Sequence, residues 1–276
     1  MVFIIPLIVT GLFAGFLQPL FYNMLLESEH VRLNYKKENI PVSMGIAFVI
    51  PAIAGYWSLT MIENATFDKA ILLIMAMTIM SFVGFMDDAI GSRDDSGLKG
   101  HFVRLIRDKK LTTGAVKALT GGVLGLYLSY QFNGLHYMLL PDSLLVALAI
   151  NSINLFDLRP GRAIKGFLLF WSLAFVLALS LLMWKEMLIL SLPVLLSTLV
   201  YAPRDLQARS MMGDAGSNPL GVFLGLCILW FLPYQVRLVF LMFYIVLHVL
   251  TEKYSLTRII EKNRVLKFFD NLGRKK

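Results

Sequence analysis

Long apolar runs broken by short polar segments fill the chain from its start to about Leu250. A helix needs about 20 predominantly apolar residues to cross the hydrocarbon core of a bilayer. Runs of that order recur nine times, over 2–26, 44–62, 68–86, 113–131, 141–157, 164–184, 187–203, 216–233 and 235–251. The pattern predicts an all-α fold, a polytopic transmembrane helix bundle over 1–251. The fifth and seventh runs are short, which fits helices that tilt or that end in a protein-lined cavity. The first run has no basic segment ahead of it and no small-residue cleavage site behind it, so it reads as a retained helix and not a signal peptide. The remaining segment, 252–276, is a basic tail. It is either partly ordered or an amphipathic helix. In the second case Ile259, Ile260, Leu266, Phe268 and Phe269 would face lipid, and Lys253, Arg258, Lys262, Arg264 and Lys267 would face water or headgroups.

Composition agrees with this pattern. Hydrophobic residues make up 57% of the 276 and charged residues only 16%, against about 25% charged in soluble domains. The formal net charge of +8 would suggest nucleic acid on a soluble protein. Here the basic residues lie between apolar runs, so orientation and lipid contact account for them and no nucleic-acid partner is expected. With the N-terminus outside and the C-terminus cytoplasmic, 23 of the 26 Lys and Arg residues fall at the inner face, and only Lys69, Lys185 and Arg237 fall outside. Cys227 is the single cysteine. It excludes an internal disulfide and reads as a small buried hydrophobe.

Three polar elements interrupt the apolar pattern, and in this topology all three reach the inner face. The third run ends Gly84-Phe85-Met86-Asp87-Asp88. Adjacent carboxylates there could hold a divalent cation or supply a base, or could be an ordinary solvated helix end. The fifth run ends Asn151-Ser152-Ile153-Asn154-Leu155-Phe156-Asp157. Asn151, Asn154 and Asp157 follow one another at i,i+3 and would project from one helix face, to line a cavity or to bond a neighbouring helix. The third element is Met212-Gly213-Asp214-Ala215-Gly216-Ser217-Asn218-Pro219. Gly216 and Ser217 could open a helix and offer free N–H groups to a phosphate, with Ser217 as N-cap, or the stretch could be a plain capped start. Lys117, one turn into the fourth run, could reach this ring or simply snorkel. Together Asp87, Asp88, Asp157 and Asp214 suit a Mg²⁺-bridged diphosphate, because Mg²⁺ is commonly held by one or two carboxylates plus substrate phosphates.

These motifs, with Asn39-Ile40-Pro41 and Gly45 before them, resemble in order and spacing the polyprenyl-phosphate N-acetylhexosamine-1-phosphate transferases, from about Asn34 to Gly225. The resemblance implies a phosphoglycosyltransferase of the bacterial cytoplasmic (inner) membrane, active in cell-wall biogenesis with its site facing the cytoplasm. It would move a phospho-sugar from a UDP-sugar, the nucleotide-sugar donor, to the lipid undecaprenyl phosphate. Mg²⁺ would be the cofactor, and a homodimer is compatible with this reading. By resemblance Asp214 binds the metal. Asp87 and Asp88 are catalytic, with Asp87 assisting the lipid phosphate and Asp88 supporting it or the metal. Asn151, Asn154 and Asp157 belong to the substrate region, with Lys117, Gly216 and Ser217 near phosphate. A non-catalytic member of the same fold and an ion-coupled transporter are the alternatives. The chain departs from the family where it reads Leu158-Arg159-Pro160-Gly161-Arg162-Ala163 in place of Gly-Leu-Asp-Gly-Leu-Ala. Arg159 and Arg162 would hold extra phosphate there or sit under headgroups. The resemblance also stops at the ninth of the family's ten spans.

Overall fold

The computed structural model describes residues 3–91 and 112–274. Each of the nine apolar runs forms a helix. These are α1 (Ile4–Glu27), α2 (Ile46–Thr60), α3 (Phe67–Ile90), α4 (Thr113–Asn133), α5 (Leu139–Phe156), α6 (Arg162–Ser180), α7 (Trp184–Leu206), α8 (Asp214–Phe231) and α9 (Tyr234–Lys253). Two short helices follow, α10 (Leu256–Lys262) and α11 (Arg264–Asn271). Seven helices, α1, α3 and α5 to α9, are long and apolar enough to cross a membrane. α2 is apolar but has only 15 residues, and α4 is diluted by Gly, Thr, Ser and Gln. Among the described residues the only strands form a small hairpin after α1, in which β1 (Val31–Leu33) pairs antiparallel with β2 (Asn39–Pro41) and Arg32 faces Ile40. Asn34 closes its turn by accepting from the Lys36 and Glu38 N–H groups at 2.8 and 3.0 Å. The basic residues Arg93, Lys99, Arg104, Arg107, Lys109 and Lys110 lie outside the described residues.

α8 is the axis of the bundle. Every residue from Ala215 to Phe231 is buried, and α3 and α5 are its main partners, with α6 beside them. Lipid tails are as apolar as leucine, so membrane helices associate through close packing of small residues. Gly221 meets α5 so closely that a Cβ there would lie 2.4 Å from the Ile150 Cα. α1, α2 and α7 form one flank, α4 packs on α3 and α5, and α9 packs on α5. Phe48, Tyr56, Phe167, Phe223 and Tyr201 fill the interior between them.

The tail is ordered and docked. Asp270 receives a fork from Arg162, at 2.7 Å from Nε and 2.9 Å from Nη2. It receives a second fork from Arg274, at 2.9 and 2.8 Å. Arg274 Nε also donates to the Pro160 carbonyl at 2.7 Å, and Lys165 donates to the Phe269, Asp270 and Leu272 carbonyls. Arg162 is thus neither a free phosphate ligand nor a headgroup contact, because its side chain is buried against Asp270 and Thr257. Burial works to raise the Asp270 carboxyl, but the hydrogen bonds from Arg162 and Arg274 outweigh it and hold the group down to about 2. A carboxyl held below its unfolded value of about 3.9 stabilises the docked tail above that value. The contribution is lost as pH falls through about 2. The amides of Leu256–Asn271 are therefore expected to keep their hydrogen-exchange protection at neutral pH and to lose it between about pH 4 and pH 2. Asp270→Asn is expected to show weak protection throughout, and a wild-type tail already unprotected at neutral pH would contradict the clamp.

Candidate active site

The C-terminal ends of α3, α5 and α7 and the N-terminal ends of α4 and α8 converge on a cavity of about 850 Å³ that Asp87, Asp88, Lys117, Asn154, Asp157 and Asp214 all line. Adjacent residues on a helix point about 100° apart, so Asp87 and Asp88 face different neighbours. The Asp87 Oδ2 accepts from the Lys117 Nζ at 3.0 Å. The same Nζ donates to Asp214 Oδ2, so one ammonium bridges two carboxylates. Asn154 Nδ2 donates to Asp214 Oδ2 at 3.3 Å, and the Ser217 hydroxyl lies 3.5 Å from Asn154 Oδ1.

Asp88 turns away from this cluster and holds the start of α8. Its carboxylate accepts from the Asp214 and Ala215 N–H groups at 3.1 and 3.2 Å and from the Ser43 hydroxyl at 2.8 Å. A carboxylate at a helix N-terminus satisfies orphan donors and favours the helix dipole. Asp157, just past α5, lines the same cavity as Gly213. Gly213 has φ +67°, and a Cβ there would lie 2.3 Å from Asp88 Oδ2. Only glycine serves at that point. The expectation of a free helix start at Gly216 and Ser217 is corrected here. The helix begins at Asp214 after Gly213, and the Gly216 and Ser217 N–H groups bond the Gly213 carbonyl at 3.1 and 3.0 Å. All four leading donors are occupied. Gly216 instead gives close contact to Gly45, where a Cβ would lie 2.1 Å from the Gly216 Cα.

Asn151 leaves the group. Its Nδ2 pairs with His248 Nε2 at 2.9 Å, in a second cavity of about 640 Å³ among α4, α5, α8 and α9. The His248 Nδ1 lies 2.7 Å from the Tyr244 carbonyl, so Nδ1 carries the proton and Nε2 accepts. This second cavity is lined largely by Gly, Ala, Leu and Ile, and it shares Lys117 with the first. Asn218, fully buried, lines it too with both amide atoms unpaired.

Four contributors were not anticipated. Asp205, at the C-terminal end of α7, lines the first cavity and accepts from the Gly161 N–H at 2.8 Å. The helix-end position that singled out Asp157 would have found it. Ser43, His30 and Arg32 form an outer layer. His30 Nε2 lies 2.9 Å from the Ser43 hydroxyl, and Arg32 donates to the Asp88 carbonyl at 2.6 Å. Burial lowers the His30 pKa, against the pull of Asp88. No spacing in the sequence signals these three.

The cavity has five carboxylates and few cations, and an ammonium already sits between two of them. That arrangement repels a bare diphosphate and suits a hard divalent cation with oxygen ligands. Asp214 fits that role, with Asp87 beside it across the shared Lys117 ammonium. Among the described residues no three His, Cys, Asp or Glu side chains gather as a full ligand set, so a bound ion would complete its shell with substrate or water oxygens. No protein-family model matches the chain, and no curated protein matches it.

Proposed function

We propose that this chain is a multi-pass phosphoglycosyltransferase of the bacterial cytoplasmic membrane. Its reaction is Mg²⁺-dependent transfer of a phospho-sugar from a UDP-N-acetylhexosamine-type donor to undecaprenyl phosphate, with release of UMP, for cell-envelope glycan synthesis. In this reading all nine long helices span, the N-terminus is outside and the site faces the cytoplasm. The basic-residue asymmetry supports that orientation. The observation that carries the chemical reading is the Lys117 ammonium held between Asp87 and Asp214, where a polar cavity meets a largely apolar one. Such a junction fits a reaction between a water-borne anion and a lipid-borne one.

In the reaction an oxygen of the lipid phosphate attacks the β-phosphorus of the donor. The bond from that phosphorus to the bridging oxygen breaks, and UMP departs with the electron pair. Bound Mg²⁺ supplies charge neutralisation on the diphosphate. Lys117 orients and neutralises the incoming phosphate. Asp87 accepts a proton from the lipid phosphate where it carries one. Asp88 fixes the turn that aims Asp214. The alternative, a non-catalytic binder of polyprenyl phosphate, draws on Asp88, whose oxygens the helix start largely consumes, and on Pro160, which stands where the family has an acid. The deciding experiment incubates purified protein, Mg²⁺ and undecaprenyl phosphate with a panel of UDP-sugars. UMP release supports transfer. Lipid binding with no UMP from any donor sinks it in favour of the binder.

A further inference from the structure

α11 presents an apolar face that no other described residue covers. Val265, Phe268, Phe269 and Leu272 are 63%, 65%, 57% and 54% exposed, and at their spacing they share one side of the helix. Arg264 and Lys267 stand on the other side. The tail from Glu252 onward carries eight basic against three acidic residues. The helix is anchored beside the first turn of α6, through Arg162 and Lys165, and Gly273 lies against Leu206 at the end of α7. It therefore lies at the level where two long apolar helices end, beside the lipid-exposed belt formed by residues such as Leu169 and Leu173 of α6.

We propose that α11 lies in the plane of an anionic bilayer surface, with its aromatic face at the headgroup–acyl boundary and its basic face on acidic headgroups, and that Asp270 ties this surface helix to the Gly161–Arg162 turn. An amphipathic helix with these two faces binds by apolar burial plus attraction to anionic lipid. The tie has a consequence for the site. The same turn receives Asp205 through the Gly161 N–H, and Leu158, Arg159 and Pro160 line the first cavity. The tail thus holds one wall of that cavity to the membrane surface. This rests on membrane insertion alone and not on the transferase reading.

The test uses full-length protein in nanodiscs of phosphatidylcholine, with or without phosphatidylglycerol. In a Cys227→Ser background, Phe268→Cys and Lys267→Cys are each nitroxide-labelled and probed by collision with oxygen and with a water-soluble nickel chelate. The label at 268 is expected to favour oxygen and the label at 267 nickel, with the contrast growing when phosphatidylglycerol is present. Nickel access at both positions would overturn the proposal, leaving a solvated tail. Shielding of 268 from both reagents would overturn it in favour of a second protein chain as the cover. Equal contrast in both lipids would overturn the anionic requirement. For the tie, a label at Leu158→Cys is expected to gain mobility when Asp270→Asn is added. Unchanged mobility would overturn the tie.

Discussion

Asp214→Asn is expected to cut UMP release by about a hundred- to a thousandfold, the usual loss when one preorganised electrostatic contact is removed from a reaction centre. The asparagine keeps the shape and can still meet Asn154, but it removes a negative charge. Lys117 then falls to Asp87 alone, and a bound cation would lose the Asp214 carboxylate as a ligand. The fold should survive, because the start of α8 is held through backbone N–H groups by Asp88 and not by the Asp214 side chain. The loss should therefore appear in kcat with little change in melting temperature. A parallel collapse of activity and stability would show Asp214 to be a structural residue. Activity within a few fold of wild type would remove it from the chemistry altogether.

The largest stability effect is expected at the opposite end of the bundle. Asp142, 1% exposed, pairs with Arg237, 8% exposed. Asn133 donates to the same Asp142 oxygen at 2.8 Å, and the Arg237 guanidinium stands 5.5 Å from the Phe132 ring. The pair is incompletely satisfied, since Asp142 Oδ1 and Arg237 Nε have no hydrogen-bond partner. Removing one member of a buried pair strands the other charge and costs about 3–5 kcal/mol. Asp142→Ala should therefore lower the melting temperature of the purified protein sharply. Removing both charges with bulk restored, as in Asp142→Leu with Arg237→Met, should recover most of that loss, because desolvation of the pair opposes its attraction. If the double variant is as unstable as the single, the pair contributes through geometry that apolar packing cannot replace.

Hydrophobic periodicity was enough to locate the nine apolar helices among the described residues, since each needs an apolar run of its own. Their ends were less visible. α7 continues to Leu206 instead of stopping near 203, which brings Asp205 onto the bundle and into the cavity. α8 starts at Asp214, because Asp88 supplies from α3 the cap that the local sequence lacks. The Asn151, Asn154 and Asp157 stripe illustrates a different limit. Three residues advance a helix by about 60° short of a full turn, so Asn151 and Asp157 differ by about 120°. That is enough to send Asn151 to His248 and the second cavity while Asn154 and Asp157 stay with the first. The tail clamp was not readable at all. Asp270 and Arg162 lie far apart in sequence, and only tertiary docking pairs them.

The central position of α8 sets opposite rules for substitution in different parts of the chain. A helix enclosed by other helices meets no lipid and has no need to be strongly apolar. Among the seven membrane-length helices α8 is the least apolar and the most enclosed, with 94% of its residues buried. It carries Ser217 and Asn218 without cost to solvation by lipid, yet an added methyl group at Gly216 or Gly221 would meet backbone. α1, with only 22% of its apolar stretch buried, is governed the other way. Its outward positions accept almost any apolar volume and reject charge. Variation in this chain is therefore limited by size at its axis and by polarity at its rim.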